Sequence, residues 1–210
     1  MQKTIEQLQY ITHAAPSLTH PQLAEAACKG GVKWVQLRVK DQPYEAWFAI
    51  AEETKAICDK YGATLIINDN VEIAHKVKAH GVHLGKKDMC PIEARKILGG
   101  DSIIGGTANV FEDVKKCCES KVDYIGLGPY RFTVTKEDLS PTLGLEGYAD
   151  IIRACKENNL NVPIFAIGGI RVEDVREIIP IGVHGVAIGT AIGLGDATDN
   201  ARRFIHELTN

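Results

Sequence analysis

The sequence predicts a (β/α)8 barrel, an α/β fold in which residues 1–210 form one catalytic domain. Short β-branched runs recur along the chain, each followed by a longer segment of helical periodicity. The later runs are almost continuously apolar, as strands covered on both faces must be. No Pro/Gly/Ser-rich or low-complexity stretch interrupts the alternation, so eight strand–helix units read as a single closed body. A doubly wound open sheet shares the alternation and is the competing architecture.

In chain order the strand runs are Y-I-T-H, K-W-V-Q-L-R-V, T-L-I-I-N-D and G-V-H-L-G. They continue with S-I-I-G-G-T, D-Y-I-G-L-G-P, P-I-F-A-I-G-G-I and G-V-A-I-G-T-A-I. Between them lie helical patterns such as A-E-A-A-C-K-G-G, Y-E-A-W-F-A-I-A-E-E-T-K-A-I-C and V-E-I-A-H-K-V-K. Hydrophobic content of 45% and charged content of 24% suit a soluble globular chain. A net charge of −3 gives no reason to expect a nucleic-acid partner. The cysteines (Cys28, Cys58, Cys90, Cys117, Cys118 and Cys155) are scattered without a C-x-x-C pair, which predicts idle thiols in a reducing compartment. No basic-then-apolar leader or membrane-length apolar run is present, so a cytoplasmic protein without membrane contact is expected.

In a barrel, catalytic groups gather where strands end and the following loops begin. Strand two runs into Gln36, Arg38 and Lys40, and strand three into Asn68 and Asp69. Strand four leads through G-K-K-D to Asp88, and strand five ends at Thr107 and Asn109. Strand six feeds R-F-T-V-T-K-E-D, while strands seven and eight end in Gly168, Gly169, Gly189 and Thr190. A barrel built only for stability has no need of polar residues and glycines biased to one end of its strands.

Gln36, Arg38 and Lys40 alternate with apolar residues, so period two sets all three on one face, toward the barrel mouth. Half-buried cations need an anionic partner, and a planar Arg fork beside a compact Lys suits a diphosphate; an edge strand with solvated charges, or a structural Arg–Glu pair, fits the same residues. Asp69 and Asp88 are oxygen ligands of the kind Mg²⁺ uses beside substrate phosphates, although Asp69 also stands where a helix N-cap belongs. Glycines ending strands seven and eight let backbone N–H groups approach a second phosphate. His83 lies inside an apolar strand, either satisfied in the core or lining the barrel. No Ser–His–Asp or zinc-ligand spacing is evident.

The ordered motifs V-Q-L-R-x-K, L-I-I-N-D, G-V-H-L-G-x-x-D, G-x-G-P-x-x-x-T-x-T-K and A-I-G-G-I closely resemble those of the thiamine phosphate synthase family, over essentially the whole chain. The resemblance implies a TIM-barrel transferase with a Mg²⁺ cofactor. It would condense 4-amino-5-hydroxymethyl-2-methylpyrimidine diphosphate with 4-methyl-5-hydroxyethylthiazole phosphate, or its carboxy form, by a dissociative route. By resemblance, Gln36, Arg38, Lys40, Asn68, Thr107 and Lys136 hold the pyrimidine diphosphate, with Arg38, Lys40 and Lys136 acting on the leaving group. Thr133, Val134, Thr135, Gly169, Gly189 and Thr190 match the thiazole phosphate pocket, and Asp69 and Asp88 the magnesium ligands. Small phosphorylated substrates are the implied partners, and the family is compatible with a homodimer. A thiazole tautomerase of the same superfamily and a non-catalytic sensor of thiamine intermediates are the alternatives, and neither needs the full set of charged residues. Three positions depart from the family pattern: Lys86 adds a cation near the expected metal site, strand five ends in G-G-T-A-N, and Arg131 begins the strand-six loop.

Overall fold

The computed structural model describes residues 3–132 and 141–210. Its strands are β1 (Leu8–Ile11), β2 (Trp34–Leu37), β3 (Thr64–Asn68), β4 (Gly81–Leu84), β5 (Ile103–Ala108), β6 (Tyr124–Leu127), β7 (Ile164–Ile167) and β8 (Gly185–Ile188). Each pairs in parallel with its neighbour in sequence, and β1 meets β8 with Leu8, Gln9 and Tyr10 opposite Val186, Ala187 and Ile188. The sheet is therefore closed, which excludes the doubly wound alternative.

Helices α1 (His20–Lys29), α2 (Tyr44–Tyr61), α3 (Val71–Lys76), α4 (Pro91–Leu98) and α5 (Phe111–Glu119) follow the first five strands. The second half carries α6 (Gly144–Glu157), α7 (Val175–Ile178), α8 (Thr190–Gly193) and α9 (Ala197–Thr209), with 3-10 turns on either side of α7. Local chemistry sets several starts. Thr19 and Gln22 form a capping box on α1, and the Asp196 side chain accepts from Thr198 and Asp199 at the head of α9. Two boundaries differ from the sequence pattern. The first strand begins at Leu8 rather than Tyr10, because the inward-facing Gln9 masks its apolar start. The T-A-I end of the last apolar run is the short helix α8, since the chain turns at Gly189.

Alternation along the strands divides the core in two. Leu8, Tyr10, Val35, Leu37, Leu65 and Ile67 point outward and pack under the helices with residues such as Leu23, Ile73 and Phe204. The opposite faces fill the barrel with Ile11, Trp34, Ile66, Ile103, Tyr124, Phe165 and Ala187. Three rings form the centre of this plug, edge to face: Trp34 lies 4.9 Å from Tyr124 and 5.2 Å from Phe165, with Tyr124 and Phe165 5.6 Å apart. The plug closes one end of the barrel, so polar residues further along the same inward faces can only gather toward the C-terminal ends of the strands. All six cysteines are free thiols. Among the described residues no helix is long and apolar enough to cross a membrane.

Candidate active site

The three polar residues of strand two climb out of the barrel. Gln36 is buried, Arg38 half-buried and Lys40 exposed. The Arg38 N–H donates to Thr12 Oγ1 at 3.1 Å, which fixes the end of β2 against the loop after β1. Burial chiefly, and the nearby Arg38 guanidinium, lower the pKa of His13; burial, His13 and Arg38 do the same for His20. Those imidazoles add no positive charge beside Arg38 near neutrality. The expectation of two desolvated cations is corrected at Lys40, whose ammonium is accessible and donates to Asp69 Oδ2 at 2.6 Å.

Asp69 does not cap α3. Asn70 does, its side chain accepting from Ile73 N at 2.9 Å. Asp69 instead has φ 65°, a left-handed conformation that costs a non-glycine residue about 1 kcal/mol or more. That twist leaves its carboxylate close enough to Asp88 to act on its charge. Asp88 Oδ2 also accepts from Gly85 N at 2.6 Å. Burial above all, then the Asp69 carboxylate, push the Asp88 carboxyl above its usual range, against the pull of Gly85 N–H and Lys40. Two carboxyls thus face each other with one ammonium, which fits a divalent cation better than a closed ion pair. Among the described residues no group of three or more His, Cys, Asp or Glu forms a fuller cage.

Below this rim, Gln36, Asn68 and Thr107 lie on inward strand faces, Gln36 and Asn68 both buried. Gln36 Nε2 donates to Gln9 Oε1 at 2.9 Å, and Gln9 Nε2 donates to Tyr124 Oη at 3.1 Å. His83 joins Tyr124 Oη through Nδ1 and Thr107 Oγ1 through Nε2, each at 3.0 Å. His83 is therefore both a satisfied core residue and part of the barrel lining.

On the opposite side, Gly168 and Gly169 follow β7 with φ of 100° and 67°. A Cβ at Gly168 would lie 2.7 Å from that of Pro129, so the turn needs glycine whatever it binds. Arg131 secures this turn: its N–H donates to Gly168 O at 3.0 Å and its guanidinium to Gly169 O at 2.8 Å. The same guanidinium grips both oxygens of Asp174, at 2.7 and 2.9 Å. Gly189 and Thr190 lead into α8 on the adjacent strand. Thr133, Val134, Thr135 and Lys136 lie outside the described residues. Lys86, expected near the metal site, pairs with Asp113 at the head of α5. Asn109 donates to Gly128 O, a tie between the ends of β5 and β6.

The thiamine monophosphate synthase family model matches residues 8–192. The chain belongs to this family. It is 49% identical over 205 residues to a thiamine-phosphate synthase of Phocaeicola vulgatus, covering 97% of this chain and 98% of that one. A thiamine-phosphate synthase of Bacteroides thetaiotaomicron is 46% identical over 200 residues, covering 95% and 96%. Among solved structures, a thiamine phosphate pyrophosphorylase from Pyrococcus furiosus superposes with a TM-score of 0.85 at 27% identity, covering 97% and 95% of the two chains.

Within this thiamine phosphate synthase fold, the structure brings Gln36, Asn68 and Thr107 onto one lining and Lys40, Asp69 and Asp88 onto one rim. Gln9 and Tyr124 were not legible as site residues. Their only signal is a single polar residue at an inward position of an otherwise apolar strand, and the pairing across strands gives it meaning.

Proposed function

We propose that the barrel joins 4-amino-5-hydroxymethyl-2-methylpyrimidine diphosphate to 4-methyl-5-hydroxyethylthiazole phosphate, or its carboxy form, giving thiamine phosphate and diphosphate, with CO2 released as well when the carboxy form is used. The observation that carries this reading is the Lys40–Asp69–Asp88 cluster directly above the polar lining of Gln36, Asn68 and Thr107. Asp69 and Asp88 would hold Mg²⁺, which accepts one or two protein carboxylates beside phosphate oxygens and would supply charge neutralisation for the diphosphate. Arg38 and Lys40 would add fixed positive charge on the same side, with Lys136 joining them from the strand-six loop.

The chemistry follows from the leaving group. The bond between the pyrimidine methylene carbon and the diphosphate oxygen breaks first, and both electrons leave with diphosphate. The amino-substituted ring spreads the resulting positive charge. The thiazole nitrogen then donates its lone pair to the methylene carbon and forms the new C–N bond. No step needs a protein nucleophile or a strong base. What the chain must do is hold two phosphorylated molecules in line, stabilise the departing charge, and keep water from the cation. The Gly168–Gly169 turn, with Gly189 and Thr190 beside it, would receive the thiazole phosphate.

Incubation of the purified protein with both substrates, with and without Mg²⁺, tests the reading by assay of thiamine phosphate and diphosphate. Magnesium-dependent formation of both products in equal amounts is expected, and no product in either condition would sink the proposal. Lys136→Ala lowers turnover while leaving the unfolding transition in place; a near-normal turnover number removes that residue from the machinery.

A further inference from the structure

Five side chains from five strands form one continuous hydrogen-bonded chain across the barrel interior, in the order Gln36, Gln9, Tyr124, His83, Thr107. Gln36, Gln9, Tyr124 and His83 are all buried, so bulk water does not supply their partners. A glycine makes the central contact possible. At Gly105, on the inward face of β5, a Cβ would lie 2.2 Å from Tyr124 Cζ and 2.5 Å from His83 Nδ1. Any side chain there would occupy the space in which the phenol meets the imidazole.

Such a chain has a direction. Gln36 gives an amide hydrogen to Gln9, and Gln9 gives one to the Tyr124 oxygen. The Tyr124 hydroxyl hydrogen is then left to point at His83 Nδ1. Burial raises the Tyr124 pKa well above that of a free phenol, so the proton stays on the oxygen. With Nδ1 accepting, neutral His83 carries its hydrogen on Nε2 and donates it to Thr107 Oγ1. The two ends are thereby made unlike: Gln36 Oε1 remains an acceptor, and the Thr107 hydroxyl hydrogen remains a donor.

We propose that Gln9, Tyr124 and His83 are positioning residues that fix this polarity, so that the lining selects a ring presenting an exocyclic amino donor to Gln36 and an acceptor to Thr107. The assignment rests on the proposed function for placing the aminopyrimidine against this lining. It deepens that reading by naming what distinguishes an amino-substituted ring from an oxo-substituted one. An oxo group would set oxygen against Gln36 Oε1, and the chain cannot reverse at one end without turning every member over.

Nitrogen-15 NMR of the histidine rings in the ligand-free protein, at about pH 8 where an ordinary imidazole is neutral, reads the polarity directly. His83 protonated on Nε2 is the expected result, with a mixture of tautomers in Tyr124→Phe. A wild-type His83 protonated on Nδ1 means the chain runs the other way and overturns the proposal. Kinetics supply the second arm. Tyr124→Phe, and Gln9→Met as an independent break, should raise KM for the pyrimidine diphosphate about tenfold, the scale of one lost buried hydrogen bond. The same variants should erode the preference for the amino over the 4-oxo substrate and leave KM for the thiazole phosphate within about twofold. Equal loss toward both substrates, or an unchanged amino/oxo preference, would overturn the positioning role. The NMR result needs no substrate, so a protein that makes no thiamine phosphate yet shows the Nε2 tautomer separates failure of the function from failure of the polarity.

Discussion

Asp88, after β4, and Asp174, after β7, are both aspartates in the loops that follow barrel strands, yet their surroundings act on them in opposite directions. Burial and the neighbouring Asp69 carboxylate push Asp88 up. Burial works against Asp174 as well, but the Arg131 guanidinium and the Arg171 N–H outweigh it and hold its carboxyl below the usual range. Asp113 follows Asp174: Lys86 and the N–H groups of Asn109 and Val110 overcome its desolvation. The difference separates two uses of one side chain. A carboxylate whose charge is already answered by protein ties loops together. One that faces another carboxylate is set to receive a cation from outside.

Exchanging the charges tests this division, and the largest effect is expected on the β3–β4 side. Asp69→Asn or Asp88→Asn should lower turnover at saturating substrates by about 100-fold or more, the scale for removing a group that stabilises developing charge. Asp88→Asn should leave thermal stability unchanged or slightly improved, because it removes a repulsion. Steady-state kinetics with a Mg²⁺ titration, alongside calorimetry, distinguish the outcomes; a large stability loss with normal turnover would place Asp88 with Asp174.

Arg131→Ala carries the comparison to the other side. The pair is bidentate and Asp174 is buried, but the Arg131 side chain is 40% exposed, so solvent screening discounts its contribution to about 1 kcal/mol. For a chain of this length that is a fall of roughly 2–4 °C in Tm. Because the same guanidinium holds Gly169 O, KM for the thiazole phosphate should rise more than KM for the pyrimidine diphosphate. A variant with both constants raised equally would assign Arg131 to stability alone.

The reach of the sequence follows the same division. The strand–helix alternation and the inward position of Gln36 are local patterns, legible because a polar residue in an apolar strand is conspicuous, whereas closure of the sheet is decided by the pairing of β1 with β8. Asp69 and Asn70 are adjacent and equally able to cap a helix, and only the backbone decides: Asp69 takes φ 65° and Asn70 the cap. Lys86 reads as a cation near the metal site and Arg131 as a charge at the start of the strand-six loop, because Asp113 and Asp174 lie in other strand–helix units and meet them only when the barrel closes. Gln9 and Tyr124 stand 115 residues apart and are joined by a hydrogen bond that no spacing rule anticipates.

Acidification gives a third and smaller effect. For Asp113 and Asp174 the folded pKa lies below the ordinary 3.8, so the stability they add is full above that value and is lost as pH falls through the depressed folded values. The sign is opposite for Asp88, whose raised pKa means that ionisation above 3.8 weakens the fold in the absence of a cation. The double variant Asp113→Asn, Asp174→Asn should therefore show a flatter loss of stability below about pH 4 than the parent. Denaturant melts at stepped pH measure the slope, and an unchanged slope would mean that the two ion pairs do not persist in solution.

The smallest expected effect is the sharpest on location. By sequence Lys86 adds a cation close to Asp88, and if it acted there its removal would change the Mg²⁺ requirement. The structure turns its ammonium to Asp113 instead, where it helps fix the head of α5 together with the Asn109 and Val110 N–H groups. Lys86→Ala removes one of three supports from Asp113 and leaves Asp69, Asp88 and Lys40 in place. The Lys86 side chain is 46% exposed, so the expected loss is below about 1 kcal/mol. The Mg²⁺ concentration for half-maximal activity should move by less than about twofold, because the Lys86 charge is already answered by Asp113 and, on a side chain this exposed, is screened by solvent. A larger shift, in either direction, would return Lys86 to the β4 rim and erase the boundary between the two sets of aspartates.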